Sequence, residues 1–193
     1  MNKLKWHEPF HSPEEAYVSW YLDELTEAGF VIKHEHQPSS IRLSPKVSYN
    51  WEKTMKTKNK KMNSALLQEH VYTPDFKITW DDMAYSVFFK DVNGVKDNND
   101  CYFWAETCLL ELAWNSYLEI KPSFDRNNMT RLFSINQKWI YDKLGLYVQK
   151  IVPVKLFMET FTPQRYLKTD QGRHGRSIHY YPRTLKEFLN KQS

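Results

Sequence analysis

The chain has 193 residues, of which 41% are hydrophobic and 16% aromatic, enough apolar side chains for the core of one domain. Its 27 basic and 23 acidic residues nearly cancel, no apolar run reaches the roughly 18 residues of a membrane span, and two cysteines cannot form a disulfide framework. These features exclude a membrane-spanning helix and a disulfide-rich scaffold. The N-terminus also lacks the apolar segment of a signal peptide, so we expect one cytoplasmic domain over residues 1–193, with no membrane partner.

The first predicted element is a helix that begins after Ser12 and ends at Gly29. Ser12 is a typical N-cap, Pro13 suits the first helical position, and Glu15 completes a capping box. Apolar residues recur along it at helical spacing: Val18, Leu22 and Leu25. Continued toward the N-terminus, this stripe reaches Glu14 and Glu15, so one of the two begins the buried face.

Extended segments follow the helix. Residues 30–43 have strand character interrupted at Pro38, whereas residues 45–63 are polar and rich in lysine and are predicted to be a loop or insertion. Residues 71–80 alternate as a strand does, with Pro74 near its start, where the missing N–H is tolerated.

The middle of the chain is harder to interpret. Asp81-Asp82 is a turn signal, and the apolar residues 85–89 could pair back as a hairpin. Residues 102–114 are compatible with either a strand or a helix. Residues 117–121 form a strand that Pro122 ends, and the proline keeps the preceding lysine extended.

The C-terminal third is predicted to contain a helix over 129–144 ended by Gly145, a strand over 147–154 and a short helix over 184–189. The predicted order of the main elements is therefore helix, strand, strand, strand, helix, strand.

Two segments concentrate positive charge. Residues 46–61 carry six lysines against one acid, and residues 165–186 carry six basic residues against one acid. Aromatic residues are interleaved with both, a pattern that suits a nucleic acid. A solvated loop and a polar tail would show the same charges.

Carboxylates occur in two of the predicted strands. Asp75 follows Thr73-Pro74, and Glu119 lies two residues before Lys121, so the side chains of Glu119 and Lys121 point to the same face of their strand. Carboxylate oxygens suit Mg²⁺ or Mn²⁺, which can activate a water, and an ammonium can balance charge on a phosphate.

This split motif resembles the signature of the PD-(D/E)XK nuclease superfamily. Phage-type members have a similar glutamine-proline strand, here Gln37-Pro38, before a Tyr-Thr-Pro-Asp-Phe segment. Gln137-x-x-x-Tyr141 resembles the Q-x-x-x-Y motif of RecB-like members, and the transposon endonuclease TnsA and phage resolvases are more distant analogues. The resemblance covers roughly residues 12–45, 70–80 and 115–154.

The resemblance implies an α/β (α+β) fold with a restriction-endonuclease-like αβββαβ core over about 12–154, in which a mixed central sheet is flanked by helices. Residues 46–69 and 81–114 are then insertions, the first of them basic, and residues 155–193 are a basic C-terminal extension. The implied function is Mg²⁺- or Mn²⁺-dependent hydrolysis of DNA by an endonuclease, located in the bacterial host cell if a phage encodes it.

The resemblance also implies roles for individual residues. Asp75 and Glu119 would bind the metal together with the Ile120 carbonyl, Glu15 would support it directly or through water, and Lys121 would orient the attacking water. Gln137 and Tyr141, which share a helix face, would line the catalytic site. Basic residues would hold the nucleic acid backbone: Lys53, Lys56, Lys58, Lys60, Lys61, Arg131, Lys138, Arg173 and Arg176.

Several alternatives remain open. The protein could be a catalytically inactive nuclease-fold protein that binds nucleic acid or another protein, or a structural protein in which the acidic motif is accidental. Within the enzymes, a Holliday junction resolvase would favour a homodimer and branched DNA, and assembly into a larger phage DNA-processing complex is equally open. His34 and His36 share a strand face, but the sequence places no third ligand beside them, so a zinc site is not favoured.

Overall fold

The computed structural model describes residues 9–94, 102–108, 113–123, 129–168 and 178–191. The α-helices are α1 (Pro13–Glu27), α2 (Met129–Leu144), α3 (Pro153–Glu159), α4 (Gln164–Leu167) and α5 (Leu185–Leu189). The strands are β1 (Val31–His36), β2 (Ile41–Ser44), β3 (Val47–Thr54), β4 (Asn59–Leu67), β5 (His70–Tyr72), β6 (Phe76–Trp80), β7 (Phe89–Asp91), β8 (Phe103–Cys108), β9 (Ala113–Ile120) and β10 (Val148–Ile151). A 3₁₀-helix covers Asp82–Ala84.

The central sheet is organised around β9. Along one side of β9 runs β6, which in turn pairs with β1, and both of these pairings are antiparallel. Along the other side, β8 pairs antiparallel with the first half of β9 and β10 pairs parallel with its second half. The predicted mixed α+β class, with a mixed central sheet flanked by helices, is confirmed. Along the described chain, nine strands lie between α1 and α2 rather than the three predicted, and β10 follows α2.

Helix α1 begins and ends as its sequence predicts. The Ser12 hydroxyl accepts a hydrogen bond from the Glu15 N–H at 3.2 Å, Pro13 occupies the first turn, and Gly29 adopts φ +83° just beyond the helix. The buried face of α1 packs on the sheet and on the C-terminal helices, and its Tyr21 stacks on Phe161, between α3 and α4, with ring centroids 4.2 Å apart. Large aromatic side chains therefore supply much of the apolar surface that this helix buries.

Side chains of β6 and β9 point alternately to the two faces of the sheet, and those of one face belong to the core. Phe76, Ile78 and Trp80 point into the core, and the Trp80 indole donates to the Ser116 hydroxyl at 2.7 Å. On the opposite face the Thr79 hydroxyl donates to the Asn115 side chain at 3.0 Å. This register decides which side chains meet at the end of β6.

Residues 45–63 are not the loop predicted from composition. Strands β3 and β4 pair over most of this stretch and form an antiparallel hairpin. The prediction was wrong because lysines occupy both faces of the hairpin. They hide the two-residue alternation of side chains that indicates a strand, which only a few exposed aromatic and polar residues show. The hairpin belongs to a compact unit, Ser39–Thr73, that also contains the β2–β5 pair. The rest of the described chain forms the other unit.

Residues 85–89 do not pair back as a hairpin either. The Asp81 carboxylate accepts from the Met83 N–H at 2.9 Å and starts the 3₁₀-helix, which carries the chain away from β6. The chain then turns at Ser86, where φ is +64°, and β7 pairs parallel with β8. The apolar run reflects core packing of Phe88 and Phe89 rather than hairpin formation.

Three smaller boundaries also differ from the prediction. Residues 71–80 divide into β5 and β6 around Pro74, the ambiguous residues 102–114 contain β8 and the start of β9, and β10 stops at Ile151 because Pro153 begins α3. Helix α2 has the predicted bounds, but its regularly spaced apolar residues Leu132, Ile135 and Leu144 are exposed. Its buried face instead contains Phe133, Asn136 and Ile140.

No helix in the described ranges is both long and apolar enough to cross a membrane.

Phe161→Ala should lower the free energy of unfolding by about 3–5 kcal/mol, because the fully buried ring stacks on Tyr21 and its removal leaves a cavity. Urea unfolding followed by circular dichroism measures this change. Tyr181→Ala is the control, since this side chain is 84% exposed and its loss should change stability by less than about 0.5 kcal/mol. Equal effects of the two substitutions would show that Phe161 does not belong to the core.

Candidate active site

Asp75 and Glu119 come together through the β6–β9 pairing. The β6–β9 pairing ends with Phe76 opposite Leu118, and Asp75 and Glu119 are the next residues beyond this pair. They lie close enough for the charge of Glu119 to act on Asp75. The Asp75 N–H donates to the Leu118 carbonyl at 2.9 Å, and the Ile120 N–H donates to Asp75 Oδ2 at 2.6 Å. These two hydrogen bonds fix the Asp75 carboxylate against the end of β9.

Lys121 completes the group. Its Nζ lies 2.6 Å from Glu119 Oε1, and the two side chains are only 15% and 11% exposed. The Lys121 N–H donates to the Ile151 carbonyl at 2.9 Å, which ties the residue to the end of β10. Because the pair is largely shielded from water, its electrostatic interaction is stronger than that of a surface ion pair.

Glu15, rather than Glu14, is the buried glutamate at the start of α1. Its Oε1 accepts from the Ser12 hydroxyl at 2.8 Å, and its Oε2 accepts from the His11 N–H at 3.1 Å. His36 Nε2 lies 2.8 Å from the same Oε2. The predicted capping box is therefore modified, because the glutamate reaches the N–H of the residue before the N-cap.

His36 was not among the predicted site residues, although its position on a strand face was noticeable. It ends β1 opposite Phe76 and holds Glu15 from the side of the sheet, while its ring packs edge-on against Phe10 at 4.9 Å. Next to it, Gln37 adopts φ +47°, and its N–H donates to the Asp75 carbonyl at 2.8 Å. The sequence feature that could have pointed to His36 is the His36-Gln37-Pro38 segment. Its partner on α1, Glu15, is 21 residues away in the chain and could be identified only in the fold.

The three carboxylates interact electrostatically. Burial and the neighbouring charge of Glu119 raise the pKa of Asp75 from 3.8 to about 7, and the charge of Glu15 adds to the rise. The Ile120 N–H and the Lys121 ammonium oppose the rise but do not cancel it. A site that places negative charges this close favours a bound cation, which would stabilise the ionised form of Asp75.

The donor set fits Mg²⁺ or Mn²⁺ through Asp75 and Glu119. Over the part of the chain that the structure describes, no group of three or more His, Cys, Asp or Glu side chains is arranged to hold a metal ion. Mg²⁺ does not require such a group, because it keeps several waters and is bound through one or two carboxylates. Glu15 is already engaged by Ser12, His11 and His36, so it is better placed to support a metal-bound water than to be a direct ligand.

Gln137 and Tyr141 lie on helix α2. The Gln137 amide donates to the Val148 carbonyl at 2.6 Å, and Val148 pairs with Tyr117, two residues before Glu119. Both residues line a cavity of about 440 Å³ together with Lys138, Asp142, Tyr147 and Val92. Through this hydrogen bond Gln137 connects α2 to the start of β10.

The predicted backbone-binding residues fall into three groups. Arg131 and Lys138 are exposed on α2. The lysines at 53, 56, 58, 60 and 61 are exposed on the β3–β4 hairpin, in the other compact unit. Arg173 and Arg176 lie outside the described residues.

No protein-family model matches the chain, and comparisons with curated proteins and with solved structures found no match. The function of this protein is therefore inferred from the geometry of the site itself.

Asp75→Asn should make the metal-free protein more stable at pH 8.5 and have little effect at pH 4. A folded-state pKa of about 7, above 3.8, means that protonated Asp75 favours the fold and that this contribution is lost as the pH rises through 7. Asparagine keeps an acceptor for the Ile120 N–H without the charge. A tenfold change in an ionisation constant corresponds to about 1.4 kcal/mol, so the rise of the pKa from 3.8 to about 7 sets an upper limit of about 4 kcal/mol on the gain in stability at pH 8.5.

Urea unfolding in EDTA at the two pH values measures this difference. Asp142→Asn, an exposed change of the same kind on α2, controls for the general effect of removing a negative charge. If Asp75→Asn were no more stable than wild type at pH 8.5, the electrostatic description of the site would be incorrect.

Proposed function

We propose that this protein is a metal-dependent nuclease that hydrolyses phosphodiester bonds in nucleic acid, with DNA as the foremost substrate. The observation that carries the proposal is the close pair Asp75 and Glu119, with Lys121 in an ion pair with Glu119 in a shielded site. Two hard oxygen donors beside an ammonium are what metal-assisted attack on a phosphodiester requires.

The fold supports the same proposal. Strands β1, β6 and β9, which come between α1 and α2 in the chain, pair antiparallel with one another in the order β1–β6–β9. Strand β10, which follows α2 in the chain, pairs parallel with β9. This is the arrangement that a restriction-endonuclease-like αβββαβ core would have. The closeness of Asp75 to Glu119, the first residue of the Glu-x-Lys segment, supports this proposal.

Each residue then has a distinct task. Asp75 and Glu119 would hold Mg²⁺ or Mn²⁺, with the Ile120 carbonyl as the predicted additional ligand, and the Ile120 N–H keeps the Asp75 carboxylate in place. When bound, the metal lowers the pKa of a coordinated water and polarises the phosphate. The Lys121 ammonium orients the attacking water and balances negative charge that develops on the phosphate. Glu15, held by His36, accepts hydrogen bonds from water in the site.

Metal-dependent cleavage should be lost in Glu119→Gln and Lys121→Met, by about 100-fold or more in rate, because each substitution removes one charge and nearly preserves side-chain size. Single-stranded, duplex and branched DNA, each with Mg²⁺ or Mn²⁺, are the substrates, and product formation on denaturing gels is the measurement. Preference for branched DNA would identify a junction resolvase.

The exposed pair Lys33 and Glu35 provides a matched control. It is also a lysine–glutamate pair two residues apart on one strand, with Nζ and Oε1 2.6 Å apart, but the side chains are 59% and 41% exposed. Lys33→Met and Glu35→Gln should cut at the wild-type rate. Cleavage that persists in EDTA, or in both site variants, would contradict the proposed site, and binding without cleavage would favour an inactive nuclease-fold binding protein.

Titration with Mn²⁺ tests the metal site without reference to catalysis. Isothermal calorimetry should detect binding to wild type, and Asp75→Asn and Glu119→Gln should each weaken it by at least about tenfold, since each removes a charged oxygen donor. Glu35→Gln should bind as wild type does. Equal Mn²⁺ affinity in all four proteins would mean that the carboxylate pair does not hold the ion.

A further inference from the structure

One face of the β3–β4 hairpin combines aromatic rings with lysines. The cross-strand pairs on this face are Tyr49 with Ser64, Trp51 with Met62, and Lys53 with Lys60. Because side chains alternate along a strand, these six residues point to the same side, which we call the aromatic–lysine face.

The aromatic rings on this face are exposed. Tyr49 is 49% exposed and Trp51 is 40% exposed, although large aromatic side chains usually bury most of their surface. The Trp51 indole N–H donates to the Ser64 hydroxyl at 2.8 Å, so its polar atom is satisfied within the hairpin and its ring is held in one orientation. What this face presents to a partner is therefore the flat apolar surface of the rings.

The charges on the same face are all positive. Lys53 lies directly opposite Lys60, and like charges in this position destabilise a strand pair unless an anion lies between them. Lys56 and Lys58 extend the positive charge to the turn, which the Met55 N–H closes by donating to the Lys58 carbonyl at 2.9 Å. Glu52, paired with Lys61, lies on the other face.

We propose that the aromatic–lysine face binds single-stranded nucleic acid, with unpaired bases stacked on Tyr49 and Trp51 and phosphates held by Lys53 and Lys60. Stacking needs an accessible base surface, which a duplex covers with its neighbouring base pairs. Two residues along a strand advance the backbone by about 6.8 Å, roughly twice the rise of stacked bases, so an extended nucleic acid strand can place successive bases on Tyr49 and Trp51.

This inference deepens the proposed nuclease function by making unpaired strand the preferred substrate class, and to that extent it rests on that function. The binding itself needs no cleavage and can be measured in EDTA. A failure of binding therefore does not count against the catalytic site, and a failure of cleavage does not count against the hairpin.

The test is fluorescence anisotropy of the full chain in EDTA with labelled 20-mers of single-stranded DNA, single-stranded RNA and duplex DNA. Wild type should bind at least one single strand at least about tenfold more tightly than the duplex. The double variant Tyr49→Leu, Trp51→Leu keeps apolar character without the stacking surface and should lose about tenfold or more in single-strand affinity. Tyr49→Phe with Trp51→Phe keeps both rings and should retain most of the affinity.

The lysines are tested separately. Lys53→Gln with Lys60→Gln should weaken binding to single strand and duplex alike and reduce the salt dependence of both. Asn50→Ala, on the opposite face of β3, should bind as wild type does. Because the Phe and Leu double variants both lose the Trp51–Ser64 hydrogen bond, equal weakening in both would assign the effect to hairpin structure and overturn the stacking proposal.

Two other results would overturn it. The first is equal affinity for single strand and duplex with no effect of the Leu substitutions, which would leave only non-specific attraction by lysines. The second is no binding to any of the three nucleic acids, which would direct attention to a protein partner for this face.

Discussion

The hydrogen bond from the Ile120 N–H to the Asp75 carboxylate is the contact on which the candidate site depends. At 2.6 Å it joins Asp75, the residue before β6, to Ile120, the last residue of β9. Both lie next to the end of the β6–β9 ladder, where Phe76 pairs with Leu118. Charge-assisted bonds of this kind are about twice as strong as neutral ones. The N–H that this hydrogen bond engages belongs to Ile120, the residue between Glu119 and Lys121. The positions of the Asp75, Glu119 and Lys121 side chains therefore all depend on the register between β6 and β9.

Electrostatics sets the character of the site. The charges of Glu119 and Glu15 act on Asp75 in a partly buried environment, and the nearby lysine offsets only part of that repulsion. Proteins retain such unfavourable groupings mainly where function requires them, because the fold would be more stable without the charges. His36 and the start of α1 hold Glu15 firmly, so the repulsion is not relieved by movement of that side chain.

Local signals predicted a large part of this structure and some of its site. Helix α1 was predictable because cap, proline and glycine act within a few residues. Asp75, Glu119 and Lys121 were proposed as site residues because the chemistry they suit is distinctive, and Lys121 and Glu119 form an ion pair in the fold. The β3–β4 hairpin was not predictable, because its period is obscured by lysines on both faces. On α2 the regularly spaced apolar residues Leu132, Ile135 and Leu144 are exposed, since apolar spacing alone does not say which helix face is buried.

The sequence by itself determined the elements whose signals are local, namely the ends of α1 and α2, the strand character around the two acidic motifs and the positive charge of residues 46–61. Only the tertiary structure decided that Glu15 rather than Glu14 is buried, that His36 holds it, and that the Gln137 amide is bound to β10. The physical reason is that these outcomes depend on strand register and on contacts between residues far apart in the chain. A change of one residue in register would move every side chain of a strand to the other face.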